Sequence, residues 1–260
     1  MPRRRSCAPL AASLLLWFGV GLVAPGPAQS DSNALWNIVH NMCVPNEEEH
    51  GSPAPCRLVD LRDGESAGYA LLKDLAGPSQ FLLIPTARIS GIESPALLAP
   101  EAPNYFAAAW RAHTYVDRAL RKTLPRDDIA LAINSVSGRS QNQLHIHIDC
   151  VRTDVRAALR QYEGSIADRW APLGVPLIGH AYLATRVDGE DLDGVNPFQL
   201  LADGVSGARE DMGHYTLVVA GAMFSNGRPG FVMLADHANP AAGDRASGEE
   251  LQDHACAIAK

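Results

Sequence analysis

Two histidines, His145 and His147, stand two residues apart in the run Gln143-Leu144-His145-Ile146-His147-Ile148-Asp149. Polar and apolar side chains alternate strictly through it, and on an extended strand successive side chains point to opposite faces. Gln143, His145, His147 and Asp149 therefore share one face, while Leu144, Ile146 and Ile148 point into a core. This period argues against the metal reading usual for paired histidines, because helical ligands facing one ion sit four residues apart. A zinc shared by His145 and His147 needs further ligands, and the neighbouring residues supply none. A neutral imidazole is a good nucleophile toward phosphorus, and Gly138-Arg139-Ser140 just upstream concentrates the polar patch. The expectation is nucleophilic chemistry at phosphorus with no metal and no cofactor. A purely structural histidine pair fits less well, since so many polar groups crowd one face of a strand whose other face is apolar.

The elements that must position this strand are legible upstream of it. Asn33 to Cys43 reads as a short amphipathic helix with Leu35, Ile38, Val39 and Met42 at helical spacing, Ser32 as its cap and Pro45 as its end. Glu47, Glu48 and Glu49 then read as a solvated acidic loop. Tyr69–Leu72 and Phe81–Pro85 are apolar runs joined through Gly77-Pro78, a hairpin signal. Ile89 to Pro95 reads as a loop, and Asn104 to Leu120 as a helix stopped by Pro125. Ile129 to Ile133 is continuously apolar, as suits a central strand buried on both faces. The order implies an α+β fold, an antiparallel sheet with packed helices. After Cys150 the expectations are a helix over Val155–Trp170, a strand over Leu177–Val187 that contains His180, and a short helix over Pro197–Ala202. A hairpin follows over Tyr215–Phe224 and Phe231–Ala235, and a terminal helix over Glu249–Ile258. The hairpin belongs to a C-terminal extension, with a second sheet packed on the first as one option. No repeat at a fixed period is present.

The 260 residues, 47% hydrophobic and 20% charged, suit a folded globular chain with a sizeable core. A net charge of −7 excludes a nucleic-acid binder that works by neutralising phosphates. Arg3, Arg4 and Arg5 precede an apolar run from Ala8 to Ala24, broken by Pro25-Gly26-Pro27-Ala28. This is the pattern of an export signal, and its length equally admits an uncleaved membrane anchor. Residues 1–28 hold three arginines and no acids, so the remainder goes from −7 to −10. The domain reading is a signal or anchor over 1–28 and one domain over 33–260, with its core at 60–150 and an extension at 151–260. Cys43, Cys56, Cys150 and Cys256 lie in the exported part and permit three disulfide pairings. Cys43 with Cys56, leaving Cys150 for Cys256, joins the two nearest in sequence. His180, His214, His237 and His254 read as structural.

The histidine strand resembles the motif of the histidine-triad superfamily, in which three histidines alternate with apolar residues. Together with Leu35-Trp36-Asn37-Ile38-Val39, Leu83-Ile84-Pro85-Thr86, Gly91-Ile92-Glu93-Ser94-Pro95 and Leu251-Gln252-Asp253-His254-Ala255-Cys256, it resembles the bacterial CDP-diacylglycerol pyrophosphatase family over most of the chain after residue 33. The resemblance implies a histidine-triad-like sheet and hydrolysis of a lipid nucleotide, CDP-diacylglycerol, to CMP and phosphatidate. It also implies attachment to the bacterial inner membrane, with the catalytic domain facing the periplasm, or secretion if the N-terminus is cleaved. By position His145 matches the nucleophilic middle histidine and His147 the third, whereas Gln143 stands where the first histidine is expected. Ser140 matches a serine beside the bridging or leaving oxygen, and Asn134 an asparagine that closes the preceding strand. The implied catalytic set is His145, His147, Gln143 and Ser140, with Asn134 and Arg139 as substrate-binding residues. Three other readings stay open: an exported pyrophosphatase or nucleotidyltransferase acting on a soluble nucleotide, a non-catalytic envelope protein that binds lipid or nucleotide, and a zinc site at His145 and His147.

Overall fold

The computed structural model describes residues 31–260, so the expected signal or anchor over 1–28 lies outside the described residues. The chain opens with α1 (Ala34–Ile38), a π-helical turn (Val39–Cys43) and α2 (Val44–His50). Pro45 does not end this helix. The wider π turn ahead of it accommodates a residue that can neither donate nor tolerate the usual i−4 carbonyl, and Pro45 opens the next α segment. The glutamate run is therefore helical, and Gly51 ends it in the left-handed region, φ 60°. Ser32 makes no cap, and Met42 turns outward while Leu35, Val39 and Cys43 pack inward.

Strands β1 (Leu58–Asp60), β2 (Tyr69–Lys73) and β3 (Phe81–Pro85) follow as antiparallel neighbours. The long helix expected over 104–120 is two, α3 (Tyr105–Ala112) and α4 (Thr114–Leu120), parted at His113. The Asn104 side chain caps the first by accepting from the Ala107 N–H. Then come β4 (Ile129–Ile133), β5 (Ile146–Cys150), α5 (Thr153–Tyr162), β6 (Ala171–Pro172) and β7 (Leu183–Asp188). His180 precedes β7 in a tight Leu177–His180 bridge rather than lying on the strand. After α6 (Pro197–Gly204) and α7 (Ala208–Asp211), strands β8 (Tyr215–Met223) and β9 (Pro229–His237) form the expected hairpin.

All nine strands make one antiparallel sheet in the order β1-β2-β3-β5-β4-β8-β9-β7-β6, the α+β class anticipated. The late hairpin extends the first sheet across the β4·β8 seam instead of packing on it as a second layer. Although the sequence has no fixed-period repeat, the path repeats itself. Two strands, a helix and two strands (β2, β3, α3, β4, β5) recur as β6, β7, α6, β8, β9, and the two sets meet in mirrored order at the seam. Their helices carry asparagine caps, Asn104 and Asn196, and touch through Phe106 and Phe198, ring centroids 4.9 Å apart.

The back face of the sheet is one continuous core under α3, α4 and α6. The front face is divided. The first helices cover Val59, Ala70, Leu82 and Ile84, while α5 and the 166–182 segment cover Ala130, Ala132, Val218 and Leu234. Between these two apolar patches the front of β5 is left for polar residues.

No helix forms at the C-terminus. Two short 3₁₀ turns, Gly248–Leu251 and Ala257–Ala259, lie in a strap that runs across the end of β5. A helix is blocked there because Gln252 pairs with Val151, the Asp253 N–H donates to the Cys150 carbonyl, and Cys256 adopts φ 46° while bonded to Cys150. The disulfides are Cys43–Cys56 and Cys150–Cys256, with sequence separations of 13 and 106. A cross-link that closes a loop of ~100 residues restricts the unfolded chain by up to ~5 kcal/mol. Replacing Cys150 and Cys256 together by serine is expected to lower unfolding free energy in urea by about 2–5 kcal/mol. An unchanged denaturation midpoint in the double variant would contradict this role.

Candidate active site

The front face of β5 opens into a cleft of about 670 Å³ whose floor carries His145, His147, Asn134 and Glu249. Its walls come from Leu35 and Ile38 of α1, from Leu72 and Leu82 of the first hairpin, and from the rim residues Arg57, Lys73 and Ser140. A larger cleft, about 720 Å³, lies beside Asp60, Arg62 and Tyr115 and contains no imidazole.

His145 sits just ahead of β5 and is buried, with Nδ1 2.7 Å from the Gln143 carbonyl oxygen. A carbonyl only accepts, so Nδ1 carries the proton and the lone pair is on Nε2. Burial lowers the imidazole from its ordinary value and keeps that lone pair free of protons. The ring of His147 packs edge-on against it, centroids 4.9 Å apart. His147 Nδ1 lies 2.7 Å from Gln80 Nε2, and the same amide nitrogen donates to Glu249 Oε1 at 3.2 Å. The carboxylate can only accept, which orients the Gln80 amide; the amide in turn assigns Nδ1 of His147 as acceptor and Nε2 as N–H donor. That Nε2 is buried and has no partner in the protein. Burial, and then the neighbouring His145, push His147 well below its ordinary value, so it is neutral.

Behind the two rings lies a relay that spacing does not announce. Glu249 accepts from Asn134 Nδ2 (3.1 Å) and faces His254 Nε2 (3.2 Å), and His254 Nδ1 faces Asp149 Oδ2 (2.9 Å). Ser79 completes Asp149 at 2.8 Å. The flanking carboxylates, Asp149 first and then Glu249, push His254 up to about 10. Burial opposes the charge on Glu249, but His254, Gln80 and Asn134 together hold it below the usual carboxylate range.

The site residues expected from sequence divide accordingly. His145, His147, Ser140 and Asn134 all line the cleft. Asn134, expected to bind substrate, instead anchors Glu249, whose N–H and carboxylate it engages at 3.1 Å each. Gln143 is fully buried, and its amide nitrogen donates to the carbonyls of Pro85 (3.0 Å) and Ala87 (2.9 Å). Both hydrogens are committed, so the side chain is no phosphate donor, and Gln143 serves the site through its own carbonyl on His145. Arg139 also points away from the cleft, in a two-pronged pair with Glu93 at 2.6 and 2.8 Å. His254, read as structural, belongs to the site's support. Gln80 and Glu249 were not singled out at all. The only signal near them was the Leu251–Cys256 run of the resemblance, which carries no spacing relation to His147.

The model of the family described as CDP-diacylglycerol pyrophosphatase matches residues 30–260. The chain belongs to that family. It is also 43% identical over 229 residues to a CDP-diacylglycerol pyrophosphatase of Yersinia pestis, covering 88% of this chain and 86% of that one. The chain is accordingly a hydrolase acting on a diphosphate bond.

Two expectations follow from the paired groups. His254 has an ordinary value of 6.5 and a folded value near 10, so its contribution to stability is fully present below pH 6.5 and is lost as pH rises through 10. The lowered carboxyl of Glu249 works oppositely, and its contribution is lost in acid. Nitrogen-detected NMR of the imidazoles should show a doubly protonated His254 at pH 8; a neutral ring there would remove the relay's charge pattern. For Arg139, replacement by methionine strands a half-buried Glu93 and should cost about 3 kcal/mol. The further change Glu93→Gln should recover most of this, and KM should not move in either variant. A raised KM with unchanged stability would return Arg139 to the substrate.

Proposed function

We propose that this chain hydrolyses CDP-diacylglycerol to CMP and phosphatidate through a nucleotide covalently held on His145. The observation that carries the proposal is the tautomer of His145, set by the Gln143 carbonyl, which leaves an unprotonated Nε2 at the cleft. In the first step Nε2 attacks the phosphorus bonded to the cytidine ribose. The bond from that phosphorus to the bridging oxygen breaks, and phosphatidate leaves with the electron pair. The imidazole, now positively charged, keeps its Nδ1–H on the Gln143 carbonyl, which stabilises the charge. Water then attacks the same phosphorus, the P–N bond breaks, and His145 returns to its starting form as CMP departs with the water's oxygen.

His147 Nε2–H and the Ser140 hydroxyl supply donors for the phosphoryl oxygens, and the exposed Arg57 on the rim supplies a cation for the diphosphate. Because little covalent work falls to the protein in such a transfer, positioning and charge carry the catalysis. Leu35, Ile38, Leu72 and Leu82 give the cleft an apolar wall, suited to the glycerol and first acyl carbons of a lipid. If residues 8–24 lie in a membrane, nine residues separate that segment from Ala34 of α1, a length of chain of at most roughly 35 Å. Among the described residues no helix is long and apolar enough to cross a membrane.

The test is rapid mixing with CDP-diacylglycerol in detergent, followed by mass spectrometry of the peptide that contains His145. A cytidylyl adduct is expected on wild type, and His145→Ala should lose the adduct and at least about 10³-fold in CMP release. Undiminished CMP release by His145→Ala would end the covalent mechanism. Equal or better turnover of a soluble CDP-alcohol would favour the soluble-nucleotide reading.

A further inference from the structure

Away from the cleft, on the front of the sheet's second half, His180, Asp236 and Asp244 converge with their ligating atoms within 4.8 Å of one another. Glu250 joins them, with Oε1 2.6 Å from His180 Nδ1 and also accepting from the Tyr182 hydroxyl at 3.1 Å. Three carboxylates thus meet one imidazole. No lysine or arginine pairs with any of the three among the described residues. Asp236 is the telling member. It lies on β9, is 6% exposed, and uses Oδ1 to accept its neighbour's N–H, while Oδ2 is buried with no hydrogen-bond partner. A buried carboxylate oxygen without a donor, facing a second carboxylate, is costly in any folded protein unless a cation or a proton resolves it. Burial, and then the Asp244 carboxylate, push the Asp236 carboxyl above the usual carboxylate range, as expected where the positive charge is missing.

We propose that His180, Asp236 and Asp244, with Glu250 as a fourth ligand, bind one divalent transition cation that fastens the C-terminal strap to the sheet. The donor set decides the class. One imidazole nitrogen among carboxylate oxygens suits Zn²⁺ or Mn²⁺, whereas Ca²⁺ and Mg²⁺ favour all-oxygen shells. Ligand atoms in a four-coordinate zinc shell lie roughly 3.4 Å apart, so His180, Asp236 and Asp244 need only a modest contraction, while Glu250, placed by its contact with His180 Nδ1, swings in from outside that trio. On binding, the cation takes the Nδ1 lone pair of His180 and releases its proton to solvent, and the orphaned Oδ2 of Asp236 gains a partner.

The placement gives the cation a mechanical role. Asp244 and Glu250 belong to the strap, Asp236 to β9, and His180 to the turn before β7, so the ion would cross-link three segments that no disulfide joins. Glu249, the residue next to Glu250, faces the opposite way into the His254 and Gln80 network of the cleft. Between the two sites the strap is tied down by the Ser135 N–H on the Ala246 carbonyl, the Gly248 N–H on Thr216, and the Ser135 hydroxyl on the Arg245 carbonyl. No motif marks these ligands in sequence, because residues 180, 236, 244 and 250 share no short spacing. The inference is independent of the chemistry proposed for His145.

The experiment uses the untagged full chain, stripped with chelator and dialysed against Zn²⁺ or Mn²⁺, with metal content by mass spectrometry and thermal unfolding as readouts. Wild type should retain about one ion per chain. At a hundred times its dissociation constant the ion should lower the unfolding equilibrium constant about 100-fold and raise Tm. Asp236→Asn and Asp244→Asn should abolish both effects. In metal-free buffer Asp236→Asn should melt at or above wild type, because it removes a repelling charge, and this also shows that the variant folds. Asp211→Asn, in the exposed trio with His214 and His237, should leave binding unchanged. The proposal is overturned if wild type retains no ion and shows no shift in Tm. Retention that survives both Asp236→Asn and Asp244→Asn, or that is lost only in Asp211→Asn, overturns it equally.

Discussion

A strand buried on both faces that nevertheless carries a row of polar side chains sets the terms for the whole molecule. β5 lies inside the sheet between β3 and β4, and each polar group on its front must find a partner or lower the stability by about 1–3 kcal/mol. Gln143 meets the carbonyls of Pro85 and Ala87, His145 the carbonyl of Gln143, His147 the amide of Gln80, and Asp149 both Ser79 and His254. These bonds fix rotamers and tautomers together. On the His147 ring only Nε2 is left unpartnered, and it belongs to a residue that lines the cleft. Gln143 Oε1 is likewise buried without a partner, so the pairing of the row is incomplete at these two atoms, and the bonds that are made fix the geometry of the candidate site as the chain folds.

The doubled path of the chain explains why one such site forms rather than two. Direct pairing across the seam places His147, Ala132, Val218 and Leu234 on one face. Where β5 carries His147 and Asp149, β9 carries Val232 and Leu234, and α5 closes over them. The second half has exchanged a polar cleft for an apolar core. It supplies a stiff continuation of the sheet and a surface on which the C-terminal strap can lie. That strap in turn delivers Glu249 and His254 to the first half, so the two halves act on a single site.

Strict alternation made the histidine strand legible in the sequence, because a period of two has few other structural meanings, while continuous apolar runs bounded by turn residues marked the central strand and both hairpins. Punctuation was less dependable. Pro45 was read as a stop, yet a π turn absorbs it, and the uninterrupted pattern over 104–120 conceals a break at His113. The final segment has helical composition but is drawn out by its disulfide, by the Cys150 carbonyl and by the left-handed Cys256. Within the site, His145 and His147 were visible because they are local. Gln80, Glu249 and His254 were not, since their roles depend on pairings across 67 to 169 residues. Arg139 shows the converse limit: a cation beside a serine, free to meet an anion, is indistinguishable in sequence from one locked to Glu93.

The relay also resolves an electrostatic difficulty. The cleft has Glu249 on its floor and Asp149 behind it, and two bare carboxylates there would repel any anion. His254 lies between them as an imidazolium, so the three groups alternate in sign and sum to a single negative charge. Gln80 and Asn134 direct neutral donors at that remaining charge. Such an arrangement is weak as a source of stability, because the desolvation of each ion offsets most of the attraction. Its value lies in orientation: Glu249 is fixed, Gln80 is oriented by it, and the tautomer of His147 follows. A neutral residue at 254 would leave the fold's apolar cores untouched. It would, however, leave two facing carboxylates uncompensated behind the cleft, so His254 sets the charge there although it does not line the cleft.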